Sequence, residues 1–348
     1  MADSKKNRTI LVTGASGFIG SHLCCELLRR GSSVLAANRA ESQQKTAWEN
    51  LTPDARLGGM NPLYSSTVSV GEIGPQTDWS CAFTGVDAAV HLAARVHIMR
   101  DSVAEPLLQF RKVNVEGTRR LANAAAEAGV KRFVFLSSIK VHGESTGNGR
   151  GPFCESDPPH PEDNYGLSKL EAERALREVE RETGMEVTII RPPLVYGPGV
   201  KANFLNLVRL VERGMPLPLR GVRNQRSLLG LTNIVDLICR CLEHPGAAGE
   251  TFLASDGEDV STPELVRRIA KALRKNARLI SVPEWLMRAG SAVTGRSKEF
   301  GRICGSLQID SSRVRRLLDW VPPSTMPEEL SRLAAWRAEC GGARKGKR

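Results

Sequence analysis

Short, β-branched apolar runs alternate with stretches in which apolar residues recur every three to four positions through the first half of the chain. Continuous runs of four to six such residues predict strands, and the 3.6-residue recurrence predicts helices. Strands are expected at 9–12, 33–37, 67–70, 88–92, 132–136 and 187–190. Helices are expected at 18–30, 107–128 and 162–183. In the first helix Ile19, Leu23, Leu27 and Leu28 share one face and Gly31 supplies the stop. This repeated alternation predicts an α/β fold with a doubly wound parallel sheet of Rossmann type.

The pattern changes near residue 190. Arg191-Pro192-Pro193 and Tyr196-Gly197-Pro198-Gly199 interrupt it, and shorter helices are expected at 203–212, 233–243, 262–274 and 327–339. Pro263 suits the first position of a helix that Thr262 begins. The expected organisation is a dinucleotide-binding domain over 1–190, a smaller, partly interleaved α/β substrate lobe over 191–340, and a basic tail over 341–348. Trp285, Leu286 and Met287 read as the packing face of a short helix, with an interfacial membrane contact as the alternative.

Length and charge bound the function. The chain has 348 residues and 41% apolar composition, enough for a large core. No apolar run reaches bilayer-spanning length and the start has no hydrophobic leader pattern, so a cytoplasmic protein is expected. Eight cysteines stand without Cys-x-x-Cys or metal-ligand spacing, which predicts reduced thiols and no metal. The net charge of +11 admits nucleic acid as a partner. A basic surface around a site for anionic ligands is the simpler reading, and no nucleic-acid partner is expected.

Candidate chemistry begins at the first strand. Thr13-Gly14-Ala15-Ser16-Gly17-Phe18-Ile19-Gly20 follows a β-branched run and opens a helix, the context a dinucleotide-phosphate turn requires. Its glycines permit the tight turn, the approach of pyrophosphate and close helix-to-sheet packing. Free N–H groups and the helix dipole then favour phosphate. Gly14, Ser16, Gly17, Phe18, Ile19 and Gly20 are the expected cofactor contacts. At the end of the second strand, where NAD sites carry an acid for the ribose hydroxyls, stand Asn38 and Arg39. No carboxylate there repels a 2′-phosphate and Arg39 can pair with one, so NADP(H) is favoured, with NAD(H) as the alternative.

Tyr165 and Lys169 are four apart on an expected helix and so share a face. A nearby ammonium favours the phenolate, which an unassisted phenol reaches only near pH 10. Ser138 falls at a strand's carboxyl end, where ligands gather in open α/β sheets. Together they are the expected catalytic set for hydride-transfer chemistry.

These segments, with His91-Leu92-Ala93-Ala94, Asn114-Val115-Glu116-Gly117-Thr118, Ser137–Gly143, Arg191–Gly199 and Gln308-Ile309-Asp310, resemble the extended short-chain dehydrogenase/reductases in their NAD-dependent epimerase/dehydratase branch. The resemblance covers nearly the whole chain. It implies that Leu92, Ala93, Ala94, Asn114 and Pro192 line the cofactor, with Glu72 and Ile73 at its adenine. It further implies a nucleotide-linked sugar substrate, a UDP sugar, held by Lys140, Asn203, Phe204 and Arg226, and a homodimer through helices 107–128 and 162–183.

Sugar 4,6-dehydratases of the family place an Asp-Glu pair after the catalytic Ser/Thr; here Ile139-Lys140-Val141 stands there, which argues against dehydration. The run through Glu144, with 191–204, resembles bacterial 4-ketoreductases of UDP-2-acetamido-2,6-dideoxy-4-hexulose, which serve O-antigen or capsule synthesis. An NADPH-dependent 4-ketoreductase is therefore the leading expectation. A UDP-hexose or N-acetylhexosamine 4-epimerase with tightly bound NAD is the close alternative, a steroid- or flavonoid-type dehydrogenase a further one, and a redox-sensing binding module the non-enzymatic one. His142 departs from the Tyr or Asn of many relatives.

Overall fold

The computed structural model of the chain describes residues 8–39, 65–96, 105–147, 149, 151–283, 285–287 and 297–345. A seven-stranded parallel sheet organises it. Its strands are β1 (Thr9–Thr13), β2 (Ser33–Asn38), β3 (Ser65–Ser69), β4 (Ala88–His91), β5 (Arg132–Leu136), β6 (Glu186–Arg191) and β9 (Thr251–Leu253), in the order β3-β2-β1-β4-β5-β6-β9. The strand order reverses direction between β1 and β4, and β1 pairs in parallel with β2 on one side and β4 on the other. That switch point opens a crevice at the carboxyl ends of the strands, the place where open α/β sheets bind ligands.

Both faces of the sheet are covered, as all-parallel sheets require. On one side α1 (Phe18–Arg29) and α6 (Leu231–Glu243) pack with Ile10, Val12, Val34 and Val90. On the other, α3 (Gly117–Glu127) and α4 (Asn164–Thr183) bury Leu121, Ala125, Ala172 and Leu176 against Leu11, Phe133 and Val187. Asp163 caps α4 by accepting from Gly166 N at 2.7 Å, and Gly184 ends it at φ 74°.

The second lobe is built on β7 (Leu194–Tyr196), β8 (Arg226–Gly230) and β10 (Asp259–Val260), with α5 (Ala202–Glu212), α7 (Thr262–Ala272), α8 (Ser297–Cys304), α9 (Ser312–Leu318) and α10 (Met326–Lys345). Tyr196, Phe204, Val208, Val266, Leu330 and Leu333 form its core. Ser261 caps α7 and Thr262 is its first residue, as the proline at 263 predicts.

Three expectations change. The single helix at 107–128 is α2 (Pro106–Phe110), a π-helical turn (Arg111–Glu116) and then α3. The wider turn lets Asn114 face inward, where its side chain clasps the backbone of Arg95. The short run 251–253, too brief to read as a strand, closes the sheet beside β6. Of the expected packing face 285–287, Met287 packs on the core of the second lobe, whereas Trp285 and Leu286 are exposed.

Candidate active site

The glycine turn connects β1 to α1 through Gly14 at φ +70°, where a Cβ would stand 2.8 Å from the Ala93 nitrogen. Only glycine serves there, because both the dihedral and the neighbouring strand end forbid a side chain. At Gly20 a Cβ would lie 2.1 Å from the Gly14 carbonyl, so the helix packs on the turn at a distance only glycine allows. Gly17 caps α1 without a side-chain partner, leaving the helix start open to an anion. Asn38 is buried at the end of β2, whereas Arg39, Glu72 and Ser16 are exposed and Ile73, Phe18, Ile19, Leu92, Ala93 and Ala94 are half-buried. This cradle fits a dinucleotide.

A buried hydrogen-bond relay fixes the rim of the cradle. Ala93 N–H donates to Thr13 Oγ1 at 3.2 Å, which donates to His91 Nδ1 at 2.6 Å. His91 Nε2–H donates to Thr118 Oγ1 at 2.9 Å, and Thr118 donates to the Asn114 carbonyl at 2.7 Å. A carbonyl can only accept, which places the Thr118 proton and a hydrogen on His91 Nε2, and burial of the ring keeps it neutral so that Nδ1 accepts from Thr13. Burial, with the Lys169 charge nearby, lowers its pKa to about 3. Asn114 Nδ2 also donates to Ser168 Oγ at 3.0 Å, and Ser168 to the Tyr165 carbonyl at 2.8 Å. The relay thereby runs from the glycine turn to α4, the helix that carries Tyr165 and Lys169.

Tyr165 and Lys169 share the inward face of α4, with the Lys169 ammonium 6.0 Å from the Tyr165 ring centre and 4.4 Å from that of Phe135. Lys169 Nζ donates to the Leu136 carbonyl at 2.8 Å. Burial pulls the Lys169 pKa down to about 7, opposed by Glu173 one turn further along α4. Burial and the charge of Asp163 push the Tyr165 phenol above its ordinary value. Ser138 follows β5 in extended conformation and its Oγ accepts from Lys140 N at 3.3 Å. The three expected catalytic residues thus come from the carboxyl end of β5 and the adjoining face of α4.

Beneath them lies a set that spacing hinted at and only the fold assembles. Glu173 accepts from Ser137 Oγ and from Arg191 Nε and Nη2, the latter two at 3.0 and 2.5 Å. Arg191 Nη1 donates to His142 Nε2 at 2.8 Å, and the His142 ring stacks on Phe153 with centres 5.5 Å apart. All four polar residues are buried. The signal was the 165–169–173 register, which puts a carboxylate on the catalytic face.

The expected substrate residues are dispersed. Lys140 is held by Glu144 at 2.7 Å and by Asp163, in a network that Arg302 joins. Phe204 is a core side chain against Tyr196, so it presents only backbone to a ligand. Asn203 is exposed at the start of α5. Arg226 is half-buried and donates to the Gly305 carbonyl at 2.9 Å; desolvation lowers its pKa, as for a cation short of counter-charge. Pro192 accepts from Ile139 N at 2.9 Å through its carbonyl and so braces the turn after Ser138. Among the described residues no group of three or more acidic, His or Cys side chains could hold a metal.

Comparison with known proteins agrees with this geometry. Residues 10–254 match the NAD dependent epimerase/dehydratase family. The chain is 43% identical over 333 residues to a UDP-glucose 4-epimerase of Vibrio cholerae, covering 95% of this chain and 96% of that one. It is 28% identical to an N-acetyl-α-D-glucosaminyl-diphospho-ditrans,octacis-undecaprenol 4-epimerase of Escherichia coli O157:H7, covering 94% of each. Among solved structures, the UDP-glucuronic acid 4-epimerase of Bacillus cereus in complex with NAD has the same fold, with a TM-score of 0.74 at 21% identity over 95% of this chain and 99% of that one. The Rossmann cradle, the Tyr165–Lys169 pair and the full-length match make the chain a member of the NAD-dependent epimerase/dehydratase family of extended short-chain dehydrogenase/reductases.

Proposed function

We propose that the protein interconverts a UDP-linked hexose or N-acetylhexosamine with its C4 epimer, using NAD(H) that stays bound. The observation that carries this is the Ser138–Tyr165–Lys169 set in a chain 43% identical along its length to a UDP-glucose 4-epimerase. The neighbouring 139–141 turn has no acid pair for dehydration: Ile139 and Val141 are buried apolar residues, and Lys140 is ion-paired. The likeness to a 4-epimerase supports this reading ahead of the 4-ketoreductase. The reductase keeps one observation in its favour, the Asn38-Arg39 end of β2, where Arg39 is exposed and free to meet a 2′-phosphate.

A dinucleotide held by the glycine turn, Asn38 and Lys169 would supply hydride acceptance and return at C4. Tyr165 removes the proton of the C4 hydroxyl and later gives it back. Ser138 holds that oxygen by a hydrogen bond. Lys169 lowers the cost of the phenolate and orients the ribose side of the cradle. The ketone turns between the two steps, so the proton returns to an oxygen on the opposite face. Asn203, the Phe204 backbone and Arg226 are assigned to the sugar diphosphate, and a homodimer is assigned to the outer faces of α3 and α4. The O-antigen setting follows only if the sugar is an acetamido one.

Incubating the purified protein with UDP-glucose or UDP-N-acetylglucosamine, without added cofactor, should give the C4 epimer by proton NMR, and denaturation should release NAD. Tyr165→Phe should cut the rate by roughly two to four orders of magnitude. NADPH oxidation with a UDP-linked 4-keto sugar, and no epimer from either UDP sugar, would restore the reductase.

A further inference from the structure

Two segments of the second lobe lie side by side. Leu217 N donates to the Arg278 carbonyl at 2.8 Å, Ile280 N to the Leu217 carbonyl at 2.9 Å, and Arg220 N to the Ile280 carbonyl at 3.1 Å. Exposed apolar side chains stand on these segments and on the residues that flank them. Trp285 is 70% exposed, Leu286 48%, Met215 47%, Ile280 46% and Leu210 37%. A monomer's scattered surface apolar residues need no explanation, but a group on adjoining segments marks a contact surface.

The charges on the same segments are of one sign. Arg213, Arg220, Arg223, Arg274, Lys275 and Arg278 are all exposed, and none makes an ion pair with a described residue. Residues 213–223 and 270–283 contain no Asp or Glu. Of the acids at their edges, Glu212 is held by Arg337 at 2.7 Å, and Glu284 follows in sequence. Several arginines elsewhere are ion-paired: Arg29, Arg111, Arg268 and Arg313 each sit against a carboxylate within 2.7 Å.

We propose that this face of the second lobe docks on an anionic lipid bilayer. Cations without an ion-pair partner among the described residues are drawn to the negative leaflet, and the exposed Trp and aliphatic side chains enter the boundary between headgroups and acyl chains. Nucleic acid would satisfy the cations and leave Leu210, Met215, Ile280 and Leu286 without a role. No helix of the described residues is long and apolar enough to cross a membrane, so the contact is peripheral. It stands whichever sugar the active site takes.

The test is co-sedimentation of the full chain with phosphatidylethanolamine vesicles containing phosphatidylglycerol, against phosphatidylcholine vesicles. Binding to the anionic vesicles alone is expected, weakening as salt rises. Arg220→Glu/Arg278→Glu should lower partitioning at least about tenfold, and Trp285→Ser/Leu286→Ser by about threefold or more, with dinucleotide binding unchanged in both. Any of these results would overturn the proposal: no vesicle binding, binding that both double variants retain, or an oligonucleotide that displaces the protein from vesicles more effectively than salt. A drop in solution mass in Trp285→Ser/Leu286→Ser would instead assign the face to a second copy of the chain, and also overturn it.

Discussion

Lys169 serves the site at an energetic cost. Its pKa falls from 10.5 to about 7, with burial as the main cause. At about 1.4 kcal/mol for each pKa unit, carrying the charge there costs several kcal/mol of folding stability. The sign is fixed by linkage. The unfolded chain holds the proton up to pH 10.5, while the folded chain releases it above about 7, so stability rises with pH between those values. Lys169→Met removes the burden. The variant should therefore melt above the wild type near neutral pH and lose that advantage as pH approaches 10, while turnover collapses. A melting difference that does not move with pH would show that Lys169 does not titrate in this window. Glu173 opposes the effect of burial from one turn away, and Arg191 and Ser137 hold it in place.

At the scale of elements, the join between β1 and α1 is the tightest in the cofactor cradle. Gly20→Ala would press a methyl group into the Gly14 carbonyl at 2.1 Å and the Ala15 Cα at 2.8 Å, both backbone atoms with no room to yield. Overpacking of this kind costs about 1–3 kcal/mol or more, and here it would displace the helix start that the proposed function assigns to the cofactor. Added to protein stripped of its cofactor, NAD should stabilise the wild type by about 2.7 kcal/mol at a hundredfold excess over its Kd, raising its melting midpoint, and leave that of Gly20→Ala unmoved. Equal stabilisation of both would mean that the turn does not bind the cofactor.

How far the elements were legible follows from their physics. Strands β1, β2, β4, β5 and β6 are continuous apolar runs because both faces of the sheet are covered, and they read directly within a residue or two. Helix α4 announces itself through its apolar register and the Gly184 stop. The π turn at Arg111–Glu116 is invisible to periodicity, since one extra residue in a turn looks like an ordinary helix until Asn114 is seen to face inward. The Glu173–Arg191–His142 set joins positions 142, 173 and 191, which no local pattern connects. Trp285 reads as core from composition alone, whereas its exposure depends on what the fold places beside it.

Across the whole molecule, His91 links the glycine turn, the centre of the sheet and the helix layer. Its folded pKa of about 3 lies below the ordinary 6.5, with burial as the first cause. The neutral ring therefore contributes stability that is complete above about pH 6.5 and is lost as pH falls toward 3. Cooperative acid unfolding should begin below pH 6.5. In His91→Leu, stability should be lower throughout, for want of two hydrogen bonds, but should decline less steeply over the same range. Urea midpoints measured from pH 7 to 4 would show this, and parallel curves for the two proteins would exclude His91 as the sensor.

The placement of β9 bears on how the chain is made. Residues 251–253 pair with 189–191, so β6 remains an open edge until some sixty further residues have been synthesised. An unpaired parallel edge invites pairing with another chain. During translation the cofactor half emerges with its sheet one strand short. A ribosome stalled between Arg191 and Leu253 would hold a nearly complete dinucleotide fold with an adhesive border, which the arrival of three residues, Thr251 to Leu253, seals.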